Sequence, residues 1–247
     1  MKTRIDFLVA GIQKCGTNAL HDLLSQHPAV RMSARKEMHY FDGTSFADDD
    51  DAHDDYHRAG WDIGTEGLDD RFLYGESTPK YVRFRPSGAP RYLPRIHAYN
   101  PAIKLVVLFR DPVERAYSQW NMLRDQGRPV PPFEDVVDAA LGASSERSPW
   151  ADIVERGCYG RVVFNLFSLF PPENCCFVKV DDLNHQVGEV ERFLGLAAFD
   201  YAPRYSYALA YESTVDPTVA DRLRRHYRAE MRIFGRLTGI DVDDWIS

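Results

Sequence analysis

Short apolar runs alternate with segments of helical periodicity along the whole chain. The runs that predict strands are residues 5–11 (IDFLVAG), 29–32 (AVRM), part of 71–78 (RFLYGEST), 102–109 (AIKLVVLF) and 174–180 (NCCFVKV). Strands that alternate with helices predict a parallel sheet covered by helices on both faces. We therefore expect a three-layer α/β fold, with residues 1–247 forming one domain.

The helical segments carry recognisable start and stop signals. From Thr17 onward the apolar residues fall on one helical face, and Pro28 closes that segment. Asp111 is a predicted N-cap with Pro112 at the first helical position. Further helices are predicted around residues 150–170 and 187–194, separated from the Asp111 helix by a loop. A long terminal helix is predicted from Asp216 to near Gly239.

Composition and charge limit the classes of partner. The 247 residues are 44% hydrophobic, and the net charge is 30 − 37 = −7. This charge argues against a nucleic-acid partner, because such binding depends on neutralising phosphates. No apolar run approaches the roughly 20 residues that span a bilayer, and the start is too short for a signal peptide. Four cysteines without CxxC spacing favour a reducing, cytoplasmic compartment.

The segment AGIQKCGTNALHDLL, residues 10–24, predicts an anion-binding loop. Two glycines, Gly11 and Gly16, allow the backbone to curl before a helix whose first N–H groups lack partners. Lys14 adds a full positive charge, and Thr17 and Asn18 add donors. The lysine precedes the second glycine, whereas the common ATP loop has the order GxxxxGK[ST]. We find no convincing carboxylate for magnesium, so magnesium-dependent ATP chemistry loses support.

A second cationic element follows the strongest predicted strand. Arg110 ends that strand, and Ser118 lies eight residues further along the next helix. An arginine fork pairs with a phosphate in bidentate fashion. Because both elements follow the carboxyl ends of parallel strands, we expect them at the same sheet edge, where they would bind a ligand with two separated phosphates.

The segments KCGTNAL, HP, KEMHYFD and VVLFRDPVERAYSQW, in this order, resemble the sulfotransferases that use 3′-phosphoadenosine 5′-phosphosulfate (PAPS). The resemblance is closest to the heparan-sulfate-type branch and its bacterial relatives. It implies a P-loop-like fold and PAPS as the cofactor, without a metal. The implied cofactor-binding residues are Lys14, Cys15, Gly16, Thr17, Asn18 and Ala19 at the 5′ end, with Arg110 and Ser118 at the 3′-phosphate.

Sulfuryl transfer needs a base for the acceptor proton and a positive charge at the departing phosphate. Lys14 fits the second role. Glu37 and His39, two residues apart in a segment predicted to be extended, are expected to point into one pocket. The resemblance implies Glu37 as the base, and His39 either orients the acceptor or is itself the base.

Two segments depart from the pattern of that family. The family has E-K-S-P-x-Y where this chain has Glu76-Ser77-Thr78-Pro79-Lys80-Tyr81, so Ser77 replaces a lysine that helps to polarise the sulfate. Lys80 is the candidate replacement. Near the C-terminus, residues 205–217 (YSYALAYESTVDP) stand where the family has a glycine-rich, basic loop. Their tyrosines are candidates to stack on adenine or to line the acceptor pocket.

The acidic stretch at residues 48–55 (DDDDAHDD) predicts a solvated, mobile loop rather than a metal site. An acidic rim would repel a sulfated polysaccharide, so we expect a small metabolite or glycoside as acceptor, as in bacterial secondary metabolism. The basic segment 224–236 is interpreted as part of a terminal helix that docks on the core.

The function we expect is transfer of a sulfuryl group from PAPS to an acceptor hydroxyl. Two alternatives remain open: a nucleotide-dependent kinase with an unusual phosphate loop, and a nucleotide-binding relative that has lost transfer.

Overall fold

Five parallel strands form one sheet in the part of the chain that the structure describes. The computed structural model describes residues 3–44, 46–63, 67–142, 147–180, 183–202 and 214–247, without the side chains of residues 184 and 185. The strands are β1 (Phe7–Gly11), β2 (Val30–Met32), β3 (Leu73–Ser77), β4 (Lys104–Phe109) and β5 (Cys175–Lys179). All five were predicted, with ends that differ by at most two residues.

The sheet has the strand order β2-β3-β1-β4-β5. In the central strand, Val9 is in register with Ser77 of β3 and with Val106 of β4. All residues of β1 are buried, and so are the last five of β4, as is typical of strands covered on both faces. The carboxyl ends of β3, β1 and β4 therefore lie side by side, which confirms the predicted α/β class.

The chain divides into two compact units, one of residues 1–109 and 165–207 and one of 110–164 and 208–247. The first contains the sheet and the helices α1 (Thr17–Leu24), α2 (Asp50–Trp61), α3 (Leu93–Tyr99) and α8 (Leu183–Leu194). The second contains α4 (Pro112–Asp125), α5 (Phe133–Leu141), α6 (Ala151–Glu155), most of α7 (Tyr159–Phe167), α9 (Pro217–Thr238) and α10 (Asp243–Ile246). One domain over residues 1–247 stays a prediction.

A hydrogen-bond chain joins Ile5, two residues before β1, to two helices in the first unit. The Ile5 N–H donates to the Tyr99 hydroxyl at 2.9 Å, and that hydroxyl lies 2.8 Å from Nε2 of His57 on α2. The hydroxyl accepts the Ile5 N–H and keeps its own proton, which it can donate to His57 when Nε2 is unprotonated. Burial lowers the pKa of His57 to about 4, with His53 and Arg4 as smaller causes, which agrees with this assignment.

The acidic stretch 48–55 was predicted to be a mobile loop, and this is wrong. Asp49 caps α2 by accepting a hydrogen bond from the Ala52 N–H at 2.9 Å, and the next acidic residues lie in its first turn. Carboxylates are favourable there because they face the positive end of the helix dipole. His53, Tyr56 and His57 recur at helical spacing and are buried, a periodicity that the run of aspartates concealed.

The caps of the second unit match the sequence signals. Asp111 accepts hydrogen bonds from the Val113 and Glu114 N–H groups at the start of α4. Asp216 caps α9 in the same way, and Gly239 ends it with a φ of 75°. The inner face of α9 is buried, including Tyr227, whose hydroxyl donates to the Val154 carbonyl. The terminal helix was predicted, and its apolar face is buried within the second unit.

Several helices, and the break within one, were not predicted correctly. The predicted helix over 150–170 is two helices, α6 and α7, separated at Gly157, where an added Cβ would lie 2.6 Å from the Tyr227 ring. Helix α5 lies in the segment predicted as a loop, and α3 was not predicted.

No helix in the described segments is long and apolar enough to cross a membrane. All four cysteines are free thiols.

We predict that Gly75→Ala destabilises the protein. A Cβ at Gly75 would lie 2.1 Å from Cζ of Phe7, its neighbour across β1 and β3. Overpacking of this kind costs about 1–3 kcal/mol, which lowers the melting temperature by roughly 2–12 °C at about 2–4 °C per kcal/mol. Gly188→Ala in α8 is the control, since its Cβ would meet only the end of a flexible side chain at 3.8 Å. Equal melting temperatures for both variants would contradict this packing.

We predict acid sensitivity from buried neutral histidines. Burial lowers the pKa of both His21 and His57 to about 4. Between about pH 6.5 and 4 the unfolded chain binds protons that these two side chains do not bind in the folded state. Stability therefore falls as the pH drops through this window, by up to about 1.4 kcal/mol per pH unit for each histidine. Chemical denaturation across this range should show a smaller slope for His57→Gln, and an unchanged slope would contradict the assignment.

Candidate functional site

The loop between β1 and α1 (residues 12–16), called the α1 loop below, has a curled backbone that leads into the first turn of α1. The Ile12 N–H donates to the Leu108 carbonyl of β4 at 3.0 Å, and the Cys15 N–H donates to the Ile12 carbonyl at 3.1 Å. Lys14 and Gly16 have φ values of 72° and 84°, in the left-handed region. Gly16 is the N-cap of α1 and makes no side-chain hydrogen bond to it. Such a loop presents backbone donors to an anion.

The residues of the loop and of the first turn of α1 differ in their exposure to solvent. Cys15 and Thr17 are buried, Lys14 and Ala19 are half-buried, and Gly16 and Asn18 are exposed. An added Cβ at Gly16 would meet nothing closer than 3.8 Å, so it is the backbone conformation rather than space that requires glycine there. The predicted 5′ residues therefore share one turn at the carboxyl end of β1.

Ser77, at the end of β3, joins this loop to the segment that holds the candidate base. Its hydroxyl donates to the Thr17 carbonyl in the first turn of α1 at 3.4 Å. Its own carbonyl accepts the Glu37 N–H at 2.9 Å. The structure thus brings Glu37 to the same edge of the sheet as the α1 loop, in contact with one shared residue.

Glu37 and His39 contact each other, although not in the way that was predicted. Nε2 of His39 lies 3.3 Å from Oε2 of Glu37, and the two side chains are 41% and 37% exposed. The predicted extended backbone is wrong here, because Glu37 and His39 have φ values of 54° and 57°. The His39 N–H donates to the Thr78 hydroxyl at 3.4 Å, so the end of β3 holds this curled segment.

Asp42 and Lys80 complete the cluster, and Asp42 was missed in the sequence. The carboxylate of Asp42, with a 1% exposed side chain, lies 3.1 and 3.2 Å from Nδ1 of His39 and 2.7 Å from Nζ of Lys80. Lys80, the predicted replacement for the lysine absent at Ser77, is thus bound to Asp42. The E-x-H-x-x-D spacing of Glu37, His39 and Asp42 is the signal that would have indicated this residue.

A buried carboxylate supports the end of β3 beneath this cluster. Glu76 accepts hydrogen bonds from the hydroxyls of Tyr56 at 2.7 Å, Tyr81 at 2.9 and 3.0 Å, and Thr78. Burial raises the pKa of Glu76, while the three hydroxyl donors oppose this shift and the charge of Asp42 adds to it. Burial also raises the pKa values of Tyr56 and Tyr81, so both hydroxyls remain donors.

Arg110 and Ser118 lie in the second unit. Arg110 follows the last residue of β4, and its carbonyl accepts the Tyr159 hydroxyl at 2.8 Å. Its guanidinium lies 3.7 Å from the Glu114 carboxylate, with the side chain 32% exposed. Ser118 is buried in α4, with 2% exposure. Of the tyrosine segment 205–217, residues 205–213 lie outside the described residues.

No group of three or more His, Cys, Asp or Glu residues in the described ranges has an arrangement that would hold a metal ion.

Two solved structures show the same fold. A sulfotransferase from Alicyclobacillus acidocaldarius matches with a TM-score of 0.77 and 22% identity, covering 99% of both chains. The sulfotransferase domain of the Synechococcus PCC 7002 olefin synthase matches with a TM-score of 0.53 and 14% identity, covering 97% of this chain and 95% of that one. At 22% and 14% identity, these matches show a common fold.

Two curated relatives are more similar in sequence. Heparan sulfate glucosamine 3-O-sulfotransferase 6 of Mus musculus is 33% identical over 198 residues, which are 76% of this chain and 52% of the relative. Heparan sulfate glucosamine 3-O-sulfotransferase 3B1 of Homo sapiens is 30% identical over 196 residues, 76% of this chain and 45% of the relative. The chain thus spans about half the length of these relatives.

The family model for the sulfotransferase domain matches residues 4–207, which include the α1 loop, the Glu37 segment, Arg110 and Ser118. With this match and the curated relatives, the chain belongs to the sulfotransferase domain family.

Proposed function

We propose that this protein transfers a sulfuryl group from PAPS to a hydroxyl of a small-molecule or glycoside acceptor. The observation that carries the proposal is the link through Ser77, which holds Glu37 and the first turn of α1 together. A base for the acceptor and an anion-binding loop must adjoin for in-line transfer, because the acceptor oxygen attacks the group held at the loop.

The α1 loop suits the 5′ end of PAPS. Its left-handed Lys14 and Gly16 turn the backbone, and Gly16 at the N-cap has no side chain that would bond to the first N–H groups of α1. We assign the 5′ end to Lys14, Cys15, Gly16, Thr17, Asn18 and Ala19. PAPS supplies the sulfuryl group, and Lys14 stabilises negative charge on the departing phosphate oxygen.

We assign the 3′-phosphate to Arg110 and Ser118. A guanidinium is suited to a phosphate because its donors match two oxygens at once. The Tyr159 hydroxyl, which binds the Arg110 carbonyl, fixes the backbone from which this side chain extends.

Glu37 is the proposed general base. Its carboxylate is partly exposed, so that it is accessible to an acceptor, and its main chain is held by the end of β3. The proton that Glu37 takes from the acceptor hydroxyl can pass to Nε2 of His39, 3.3 Å away. The carboxylate of Asp42 at Nδ1 would stabilise the imidazolium that results, in the arrangement of a catalytic triad.

The proposed acceptor is neutral or cationic. The relatives are named for heparan sulfate glucosamine, whereas this chain has a net charge of −7 and carries exposed carboxylates at the start of α2.

A reducing, cytoplasmic setting belongs to the same proposal. It fits the four free cysteines, of which Cys158, Cys175 and Cys176 have pKa values raised by burial to about 12, which keeps the thiols unreactive.

We predict that adenosine 3′,5′-bisphosphate raises the melting temperature and that Mg-ATP does not. Lys14→Ala and Arg110→Ala should each weaken bisphosphate binding about tenfold or more, since a hydrogen bond to a charged group contributes about 1.5–3 kcal/mol. Thermal-shift titration measures both effects, with Arg58→Ala on the exposed face of α2 as the control. Stabilisation by Mg-ATP alone would favour a kinase and contradict the proposal.

We predict that Glu37→Gln abolishes transfer and leaves bisphosphate affinity within about twofold. Loss of a general base typically lowers the rate by about 10²–10⁴. A mass-spectrometric screen for acceptors that gain one SO₃ unit supplies the assay, and Glu134→Gln, at an exposed carboxylate of α5, is the control. Wild-type turnover by Glu37→Gln would remove Glu37 from the mechanism.

A further inference from the structure

Arg115 is a fully buried arginine in α4, with 0% exposure. Its hydrogen-bond partners carry no charge, since Nη1 donates to Oε1 of Gln119 at 2.8 Å and Nη2 donates to the Ile153 carbonyl of α6. Nε is buried without a partner, and no carboxylate of the described residues forms an ion pair with this guanidinium. A buried charge without a counter-ion is unfavourable. A sequence frequently accepts such a cost where function requires a defined geometry.

The end of α6 leaves open the carbonyl that Arg115 binds. The Gly157 N–H donates to the Val154 carbonyl at 2.9 Å, three residues back instead of four, so this helix ends in a tight turn. A regular α-helix would pair that N–H with the Ile153 carbonyl, which here accepts the guanidinium of Arg115. The neighbouring Val154 carbonyl also accepts the hydroxyl of Tyr227 at 2.8 Å. The end of α6 is therefore bound by donors from α4 and from α9.

Arg115 lies between the two residues that we assign to the 3′-phosphate. Arg110 directly precedes the N-cap Asp111, and Ser118 is three positions after Arg115. Because residues three and four positions apart share one helix face, Arg115, Ser118 and Gln119 lie on the same side of α4. All three are buried. The link to α6 therefore holds the face of α4 on which Ser118 lies.

A second hydrogen bond holds the start of α4. The hydroxyl of Tyr159, a residue with 0% exposure, donates to the Arg110 carbonyl at 2.8 Å. The Arg115 N–H donates to the Asp111 carbonyl at 2.9 Å, so the first turn of α4 connects the two supports. The segment that carries both phosphate-binding candidates is thus fixed at its start by Tyr159 and farther along by Arg115.

We propose that Arg115 is a positioning residue for the 3′-phosphate of PAPS. Its planar guanidinium reaches Gln119 within α4 and Ile153 on α6 at once, as a fork of donors can. This link holds Arg110 and Ser118 at the spacing that one phosphate needs. Arg115 acts through the backbone of α4 and not by contact with the phosphate. The inference rests on the function proposed above.

The selectivity for the 3′-phosphate measures this role. It is the ratio of the dissociation constants of adenosine 5′-monophosphate and adenosine 3′,5′-bisphosphate, determined by titration calorimetry at a temperature where every variant is folded. In Arg115→Gln the ratio should fall about tenfold, the equivalent of one misplaced hydrogen bond to a charged group. Affinity for the monophosphate should stay within about twofold, because its phosphate is assigned to the α1 loop. Arg115→Lys, which retains one donor group, should give an intermediate ratio.

Arg222→Gln is the matched control. Arg222 of α9 also joins two helices of the second unit, through the Asp138 carboxylate of α5, and no residue of α4 takes part in that contact. The variant removes the same charge from the same unit, and its ratio should stay within about twofold of the wild type. A role of Arg115 in stability alone would lower the melting temperature and leave the ratio of the folded protein unchanged.

Folding of the variants and the outcome for the proposed function can be separated. If Arg115→Gln does not fold, Gln119→Ala, which keeps the guanidinium but removes one of its two partners, should lower the ratio about threefold. An unchanged ratio in Arg115→Gln, or in Gln119→Ala where it is used instead, would overturn the inference, and so would an equal loss in Arg222→Gln.

Amide hydrogen exchange without a nucleotide supplies an independent reading. Exchange in α4 should be faster in Arg115→Gln than in Arg222→Gln, since only the first variant loses the link to α6. Equal affinity of the wild type for both nucleotides would overturn the assignment of the 3′-phosphate and with it the proposed function. Faster exchange in Arg115→Gln would then still support the hold of Arg115 on α4, whereas unchanged exchange would overturn that as well.

Discussion

The arrangement of the candidate site depends on the two hydrogen bonds of Ser77. One joins its hydroxyl to the carbonyl of Thr17, in the first turn of α1, and the other joins its carbonyl to the N–H of Glu37. Because Ser77 ends β3 and is in register with Val9 of β1, the parallel sheet itself sets the spacing between the anion-binding loop and the candidate base. A shift of β3 by one residue would place the Ser77 side chain on the other side of the sheet. The anion-binding loop and Glu37 would then no longer be held together.

The buried groups beneath this edge explain why it can hold a curled segment. Glu76 collects three hydroxyl donors, and one of these, Thr78, also accepts the His39 N–H. The positive φ values at Glu37 and His39 are unfavourable for residues with a Cβ. Such a conformation persists only when the surrounding structure determines it, and it is frequently found where function requires a defined geometry. The hydrogen bonds at the end of β3 therefore hold the backbone from which the Glu37 and His39 side chains extend.

Local signals in the sequence predicted most of the fold. The apolar run of β4 and the Asp111 and Asp216 caps specify their elements with nearby residues alone, so they were predicted correctly. The acidic start of α2 was misassigned because its helical signal is carried by buried His53, Tyr56 and His57, which pack on residues distant in sequence. The break at Gly157 likewise depends on close approach to Tyr227, seventy positions away.

At the site, the pairing of Glu37 with His39 was predicted, but through an extended backbone that the structure does not have. Asp42 was missed although its spacing from Glu37 and His39 was present in the sequence, and its contact with Lys80 depends on the turn after β3, which is distant in sequence.

The proposed function requires that these residues move a sulfuryl group rather than only bind a nucleotide. PAPS labelled at its sulfuryl sulfur, incubated with the wild-type protein and pools of metabolite and glycoside acceptors, tests it directly. With the wild type, we expect the label to appear in an acceptor together with an equal amount of adenosine 3′,5′-bisphosphate. Neither product should form with Glu37→Gln. Retention of the label in PAPS for every acceptor, or equal label transfer by Glu37→Gln, would contradict it.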